Sequence, residues 1–137
     1  MPPDASAVKT PSRAPALLIV DDEPLVRFGL LGLFRASPLA WREVHAVATG
    51  AQALRHVLRT RPDLVLLDVD LAGEDGLALL PALRAATRVV VLSSHDDATV
   101  RARALRLGAH AFVAKHAPAK ALLAAVQACL PAPCSPV

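Results

Sequence analysis

Leu64-Val65-Leu66-Leu67-Asp68 decides the architecture of this chain. Consecutive apolar residues without polar alternation read as a strand covered on both faces, as in a parallel sheet between two helical layers. The run ends on a carboxylate. Three other apolar runs also end on polar groups: Leu17-Leu18-Ile19-Val20 on Asp21-Asp22-Glu23, Val89-Val90-Val91-Leu92 on Ser93-Ser94, and Ala111-Phe112-Val113-Ala114 on Lys115. Open parallel α/β sheets build ligand sites outside the carboxyl ends of their strands. Asp21, Asp22, Asp68, Ser93 and Lys115 are therefore candidates for one polar site.

Helical patterns separate these runs. Residues 23–36 carry Leu25, Phe28, Leu31 (or Gly32) and Phe34 at near-helical spacing, the expected inward face of a first helix. Residues 43–48 alternate as a more exposed strand would. Thr49-Gly50-Ala51-Gln52 fits a capping box for a helix through Leu58, and Arg61-Pro62-Asp63 ends it. Strand 64–69 follows, then loop chemistry from Gly73 to Gly76 and a helix with Leu77, Leu80 and Leu83. Strand 88–93 precedes a helix opened by Asp96-Asp97, carrying Val100, Ala104 and Leu107 and stopped by Gly108. Strand 111–114 and a helix opened by Pro118, with Leu122, Leu123, Val126 and Leu130, complete five βα units. Their natural architecture is a parallel sheet with helices on both faces.

The 137 residues suit one domain, and a 54% hydrophobic fraction excludes general disorder. No apolar stretch reaches the roughly 18 residues of a membrane span. Residues 1–15 lack the apolar core of a secretory signal and read as a flexible tail; the domain spans 16–130, and 131–137 read as a second flexible tail or truncated linker. Cys129 and Cys134 have neither metal nor disulfide-framework spacing, which fits idle thiols in a reducing cytoplasm. The net charge is +3, but three Phe, one Trp and no Tyr make a poor base-stacking platform. Direct nucleic-acid binding by this chain is not expected.

Asp21, Asp22 and Asp68 are hard oxygen donors of the kind Mg²⁺ takes. On neighbouring strands, about 4.8 Å apart, their carboxylates reach one ion, and without it they repel and raise one another's pKa. Lys115 adds a point charge suited to a phosphoryl group, and Ser93 a small hydroxyl. Phosphoryl transfer depends chiefly on positioning and charge neutralisation, with Asp68 as the nucleophile of an acyl phosphate. Singly, Asp21 or Asp22 could cap a helix, Ser93 or Asp75-Gly76 turn the chain, and Lys115 face solvent. Their joint placement at successive strand ends argues for a site.

From Leu17 to about Leu130, through "LLIVDDEPLVR", "PDLVLLDVDLAGEDGLALL", "VVVLSSHDD" and "LGAHAFVAKHAPAKALLAAV", the chain resembles a response-regulator receiver domain of two-component signalling. The resemblance implies a flavodoxin-like three-layer α/β sandwich whose five-stranded parallel sheet has the order 2-1-3-4-5. It implies a cytoplasmic phosphoprotein that takes a phosphoryl group onto Asp68 from a sensor histidine kinase or phosphotransfer protein and is not a turnover enzyme. Mg²⁺ would be held by Asp22, Asp68 and the backbone carbonyl of Asp70, with Asp21 helping through water. Lys115 would pair with the phosphoryl group, and Asp70 and His95 would tune its loss. Ser93 would move toward it, and Phe112 would turn inward to fill the space. The surface of helix 96–107, strand 111–114 and helix 118–130 would dock an output domain or a second copy.

Two positions depart from the family pattern: Ala72 and His116 stand where many receivers have Pro, and His116 removes the proline that favours a cis peptide after Lys115. "KHAPAKALLAAV" is more similar to receivers that precede a helix-turn-helix output domain. Two other readings compete. One is a degenerate receiver that only binds proteins. The other is a haloacid-dehalogenase-like Mg²⁺ phosphatase suggested by Asp68-Val69-Asp70, although that family carries the motif on its first strand and needs room for a cap domain.

Overall fold

The structure is a computed structural model that describes residues 14–94 and 97–130. Most of the expected first tail, all of 131–137 and His95 lie outside the described residues. The strands β1 (Ala16–Val20), β2 (Glu43–Val47), β3 (Leu64–Asp68), β4 (Arg88–Ser93) and β5 (Ala111–Ala114) form one parallel sheet in the order β2-β1-β3-β4-β5. The helices are α1 (Pro24–Arg35), α2 (Gly50–Thr60), α3 (Leu80–Arg84), α4 (Ala98–Arg106) and α5 (Ala119–Cys129). This is the flavodoxin-like order that the resemblance implied. No helix among the described residues is long and apolar enough to cross a membrane.

Alternation along the strands divides the core into two layers. Leu18, Val20, Val65, Leu67, Val89, Val91 and Phe112 pack with Ala53, Val57, Leu80, Leu83 and Ala104 of α2, α3 and α4. Leu17, Ile19, Leu64, Leu66, Val90, Leu92 and Val113 pack with Phe34, Leu122 and Val126 of α1 and α5. Every residue of β1 and β3 is buried, so a continuous apolar run is what these strands require.

Side-chain caps open α2 and α4. Thr49 and Gln52 make the reciprocal capping box of α2, and Arg61 closes that helix at φ 51°. The Asp97 carboxylate accepts from the Val100 N–H at 2.7 Å and caps α4. Two expectations change. Leu25 and Phe28 do not join the core: they are 85% and 70% exposed. Leu31 and Phe34 turn inward as expected, together with Leu30 and Leu33. Leu25 lies nine positions before Phe34, about 180° around the helix, so the expected stripe mixed two faces. The third helix is also shorter, with a 3₁₀ turn over Gly76–Leu79 before α3. Pro81 has no N–H for the Leu77 carbonyl, which instead accepts from the Leu80 N–H.

The chain leaves β3 through a short antiparallel hairpin, Asp70–Leu71 with Glu74–Asp75. Its centre is Ala72 at φ 38° and Gly73 at φ 88°, both left-handed, as a tight two-residue hairpin turn requires. Proline at position 72 would fix φ near −65° and exclude this hairpin. No cis peptide occurs among the described residues, so Lys115–His116 is trans. Gly76 closes the loop against the strand: its N–H donates to the Val69 carbonyl at 2.6 Å. A Cβ there would collide with the Asp68 carbonyl oxygen.

Ala72 carries a left-handed penalty of about 1 kcal/mol that glycine lacks. Ala72→Gly is expected to raise the unfolding free energy in urea by about 0.5 kcal/mol after glycine's own entropic cost, and Ala72→Pro to lower it. Equal midpoints for all three proteins would contradict the assigned hairpin.

Candidate functional site

The sheet register brings the polar residues together. Val20 of β1 pairs with Leu67 of β3, so Asp21 and Asp68, one residue further on, stand side by side. Ser93 pairs with Ala114 at the carboxyl ends of β4 and β5. One more backbone bond extends the ladder beyond each strand: Asp21 N–H to the Val47 carbonyl at 3.1 Å, Val69 N–H to Leu92 at 3.1 Å, and Lys115 N–H to Ser93 at 2.7 Å. In this strand order the crossovers reverse direction between β1 and β3, which opens a crevice there.

Asp21 and Ser93 are fully buried and Asp68 is 2% exposed. The Lys115 ammonium lies 3.2 Å from both Asp21 Oδ2 and Asp68 Oδ2, and 3.7 Å from Glu23 Oε1. The Glu23 N–H donates to Asp21 Oδ1 at 2.9 Å, the Asp70 N–H to Asp68 Oδ1 at 3.3 Å, and Arg27 Nη1 to the Asp21 carbonyl at 2.9 Å. Burial first, and the Asp21 charge second, push the Asp68 carboxyl up to about 6, against the pull of Lys115 and the Asp70 N–H. The expected mutual repulsion is thus real but smaller than the effect of burial. Burial also works against the Lys115 ammonium, but the Asp68 and Asp21 carboxylates outweigh it and raise its pKa.

Asp21, Asp22 and Asp68 each offer a carboxylate oxygen within 4.8 Å of the others. Asp21 Oδ2 is buried and, although close to Lys115, has no aligned hydrogen bond. An all-oxygen cluster with one lone pair left without a donor fits a hard divalent cation.

Other expected residues fall differently. Asp70 is exposed on the hairpin. Phe112 is already inward at 8% exposure, within the core that faces α2, α3 and α4. The Arg101 guanidinium sits 4.7 Å from the centre of its ring. Glu23, Arg27, Arg101 and the Asp75–Arg103 ion pair at 2.8 Å were not anticipated. Glu23 and Arg27 stood in the quoted motif, but nothing in the sequence linked Asp75 to Arg103. His45 and His56, which have no ligand-like spacing, meet ring to ring at 5.2 Å, away from this site. Asp68-Val69-Asp70 lies at the end of the third strand, unlike the first-strand motif of the phosphatase alternative.

The response regulator receiver domain model matches residues 17–127, and the chain belongs to that family. A transcriptional regulatory protein, PrrA, from Mycobacterium leprae is 36% identical over 120 residues, covering 85% of this chain and 50% of that protein. A LuxR-family two-component response regulator from Aurantimonas has TM-score 0.78 and 28% identity, covering 85% of this chain and 84% of that one. The BeF3-activated N-terminal receiver domain of RstA from Klebsiella pneumoniae has TM-score 0.75 and 30% identity, covering 82% and 96%. The chain spans about half the length of the curated relatives it matches first.

The raised Asp68 pKa has a stability consequence. Its folded value near 6 exceeds the ordinary 3.8, so its contribution is complete below about pH 4 and is lost as pH rises through 6. Metal-free wild type is expected to lose on the order of 2 kcal/mol between pH 4 and 7.5 relative to Asp68→Asn. Parallel pH–stability curves from urea melts in chelator would contradict this.

Proposed function

We propose that this receiver domain is a phosphoacceptor that takes a phosphoryl group onto Asp68 from a sensor histidine kinase or phosphotransfer protein and presents a changed surface to an output domain or partner. The observation that carries the reading is one ammonium, Lys115, held 3.2 Å from two buried carboxylates. An Asp68 oxygen attacks phosphorus, forming an O–P bond as the donor's N–P bond breaks and the bonding pair returns to the donor imidazole. Lys115 is placed to follow the negative charge from carboxylate to phosphoryl oxygen. Ser93, buried at the end of β4, is the hydroxyl proposed to close on that oxygen. Mg²⁺, held by Asp22, Asp68 and the Asp70 carbonyl with Asp21 assisting, would supply charge neutralisation at the phosphoryl oxygens. Asp70 and His95 would set how long the group stays. The chain itself accepts the phosphoryl group and slowly loses it, so this is a switch and not a turnover enzyme.

Two further features support the reading. Leu25 and Phe28 expose an apolar face of α1 just after the acidic cluster, suited to transient docking of a phosphodonor protein. The RstA receiver was activated with BeF3, a phosphoryl mimic, and makes that ligand a suitable probe here. With Phe112 already inward, the proposed signal is a shift in how its ring and α4 are seated, rather than an inward flip. The relatives' extra length and regulatory names favour an output domain in the whole protein.

Acetyl phosphate with Mg²⁺ is expected to add one phosphoryl group by intact mass. Asp68→Asn should abolish it, and Lys115→Met should slow it by about tenfold or more. Equal labelling of Asp68→Asn, or labelling undiminished by chelator, would overturn the assignment. Phe28→Glu should slow transfer from a kinase by about tenfold yet leave the acetyl phosphate rate unchanged. Equal slowing of both would place Phe28 in the chemistry rather than in docking.

A further inference from the structure

We propose that Arg103 is a positioning residue for the phosphoacceptor loop: its ion pair with Asp75 clamps the hairpin after Asp68 to α4, so that charge added at Asp68 and the seating of α4 bias one another. This rests on the phosphoacceptor reading above. The hairpin is tied directly to the site. The Asp70 N–H donates to Asp68 Oδ1 at 3.3 Å, and the Gly76 N–H to the Val69 carbonyl at 2.6 Å. On one side, Glu74 Oε1 accepts from the Gly50 N–H at the start of α2 at 3.1 Å. On the other, Asp75 Oδ2 meets Arg103 Nη2 at 2.8 Å, while Asp75 Oδ1 caps the following turn through the Leu77 N–H at 3.1 Å. The Asp75 carboxyl is held below its ordinary pKa, first by the Arg103 bond.

α4 makes a second contact of consequence. Arg101, two positions before Arg103, lies over the Phe112 ring at 4.7 Å. Residues two apart on a helix point about 200° apart. One helix therefore holds the hairpin with one side and covers the switch aromatic with the other. A phosphoryl group on Asp68 brings about two negative charges close to the hairpin. The coupling is reciprocal: whatever that charge does to α4, the seating of α4 does to the affinity for that charge.

The pair is more than 40% exposed on both sides, so its effect is modest and screened by salt. That gives it a signature which packing lacks. Hydrogen exchange of the hairpin amides in Arg103→Gln, without ligand, is expected to be two- to fivefold faster than wild type at about 0.02 M salt. The difference should close at about 0.5 M, and Arg103→Lys should restore most of the protection. Exchange equal to wild type at low salt, or a difference that survives high salt, would overturn the clamp.

The second measurement adds Mg²⁺ and beryllofluoride and follows the α4 amides by NMR. Arg103→Gln should lose about half or more of their shift, while fluorine NMR shows the same loading as wild type. Wild-type α4 shifts in the variant would refute the coupling. If wild type itself takes up no beryllofluoride, the phosphoacceptor reading fails, and exchange alone decides the clamp.

Discussion

One lysine ammonium between two buried carboxylates is the interaction on which the site depends. Asp21 and Asp68 sit at the ends of β1 and β3, in a sheet whose core is otherwise apolar. A buried unpaired carboxylate costs several kcal/mol, and two side by side cost more. Lys115 offsets that at 3.2 Å from each. It arrives from β5, two strands from β3 and so about 10 Å away. The lysine chain must cross the end of β4, where the small, buried Ser93 stands. The lysine also holds the Asp68 carboxyl below where burial and the Asp21 charge alone would put it, which keeps more of it as the carboxylate.

The sheet can concentrate charge at one edge because its two layers need none of it. Alternate residues of β1, β3 and β4 feed one helical layer or the other, and the buried polar residues Asp21, Asp68 and Ser93 stand where those strands end. The loop after β3 then carries unusual backbone constraint. Ala72 is left-handed, and Gly76 leaves no room for a Cβ beside the Asp68 carbonyl. Both fix where Asp70 lies relative to Asp68, and the Asp75–Arg103 pair carries that placement to α4.

Much of this was legible in sequence because strand-end residues need only chain order and register to meet. The four apolar runs and their polar termini located the crevice, and the capping box at Thr49 and the stop at Gly108 appeared as expected. The failures have specific causes. The exposed Leu25 and Phe28 look like core residues when only their hydrophobicity is read, and the 3.6-residue period had to be followed to Phe34 to see that they oppose it. Pro81 shortened the third helix through one missing N–H. Arg103 meets Asp75 across 28 positions, a distance at which no periodicity operates. The Arg101 guanidinium over the Phe112 ring is a contact between α4 and β5 that no periodicity announces.

Carbon-13 NMR titration of the Asp68 carboxyl in metal-free protein tests the lysine-bridged cluster most directly, with Lys115→Met as the comparison. The wild-type midpoint is expected near 6 and is expected to move higher when the lysine is removed. A wild-type midpoint near the ordinary 3.8, or one that does not move in Lys115→Met, would contradict the bridged cluster.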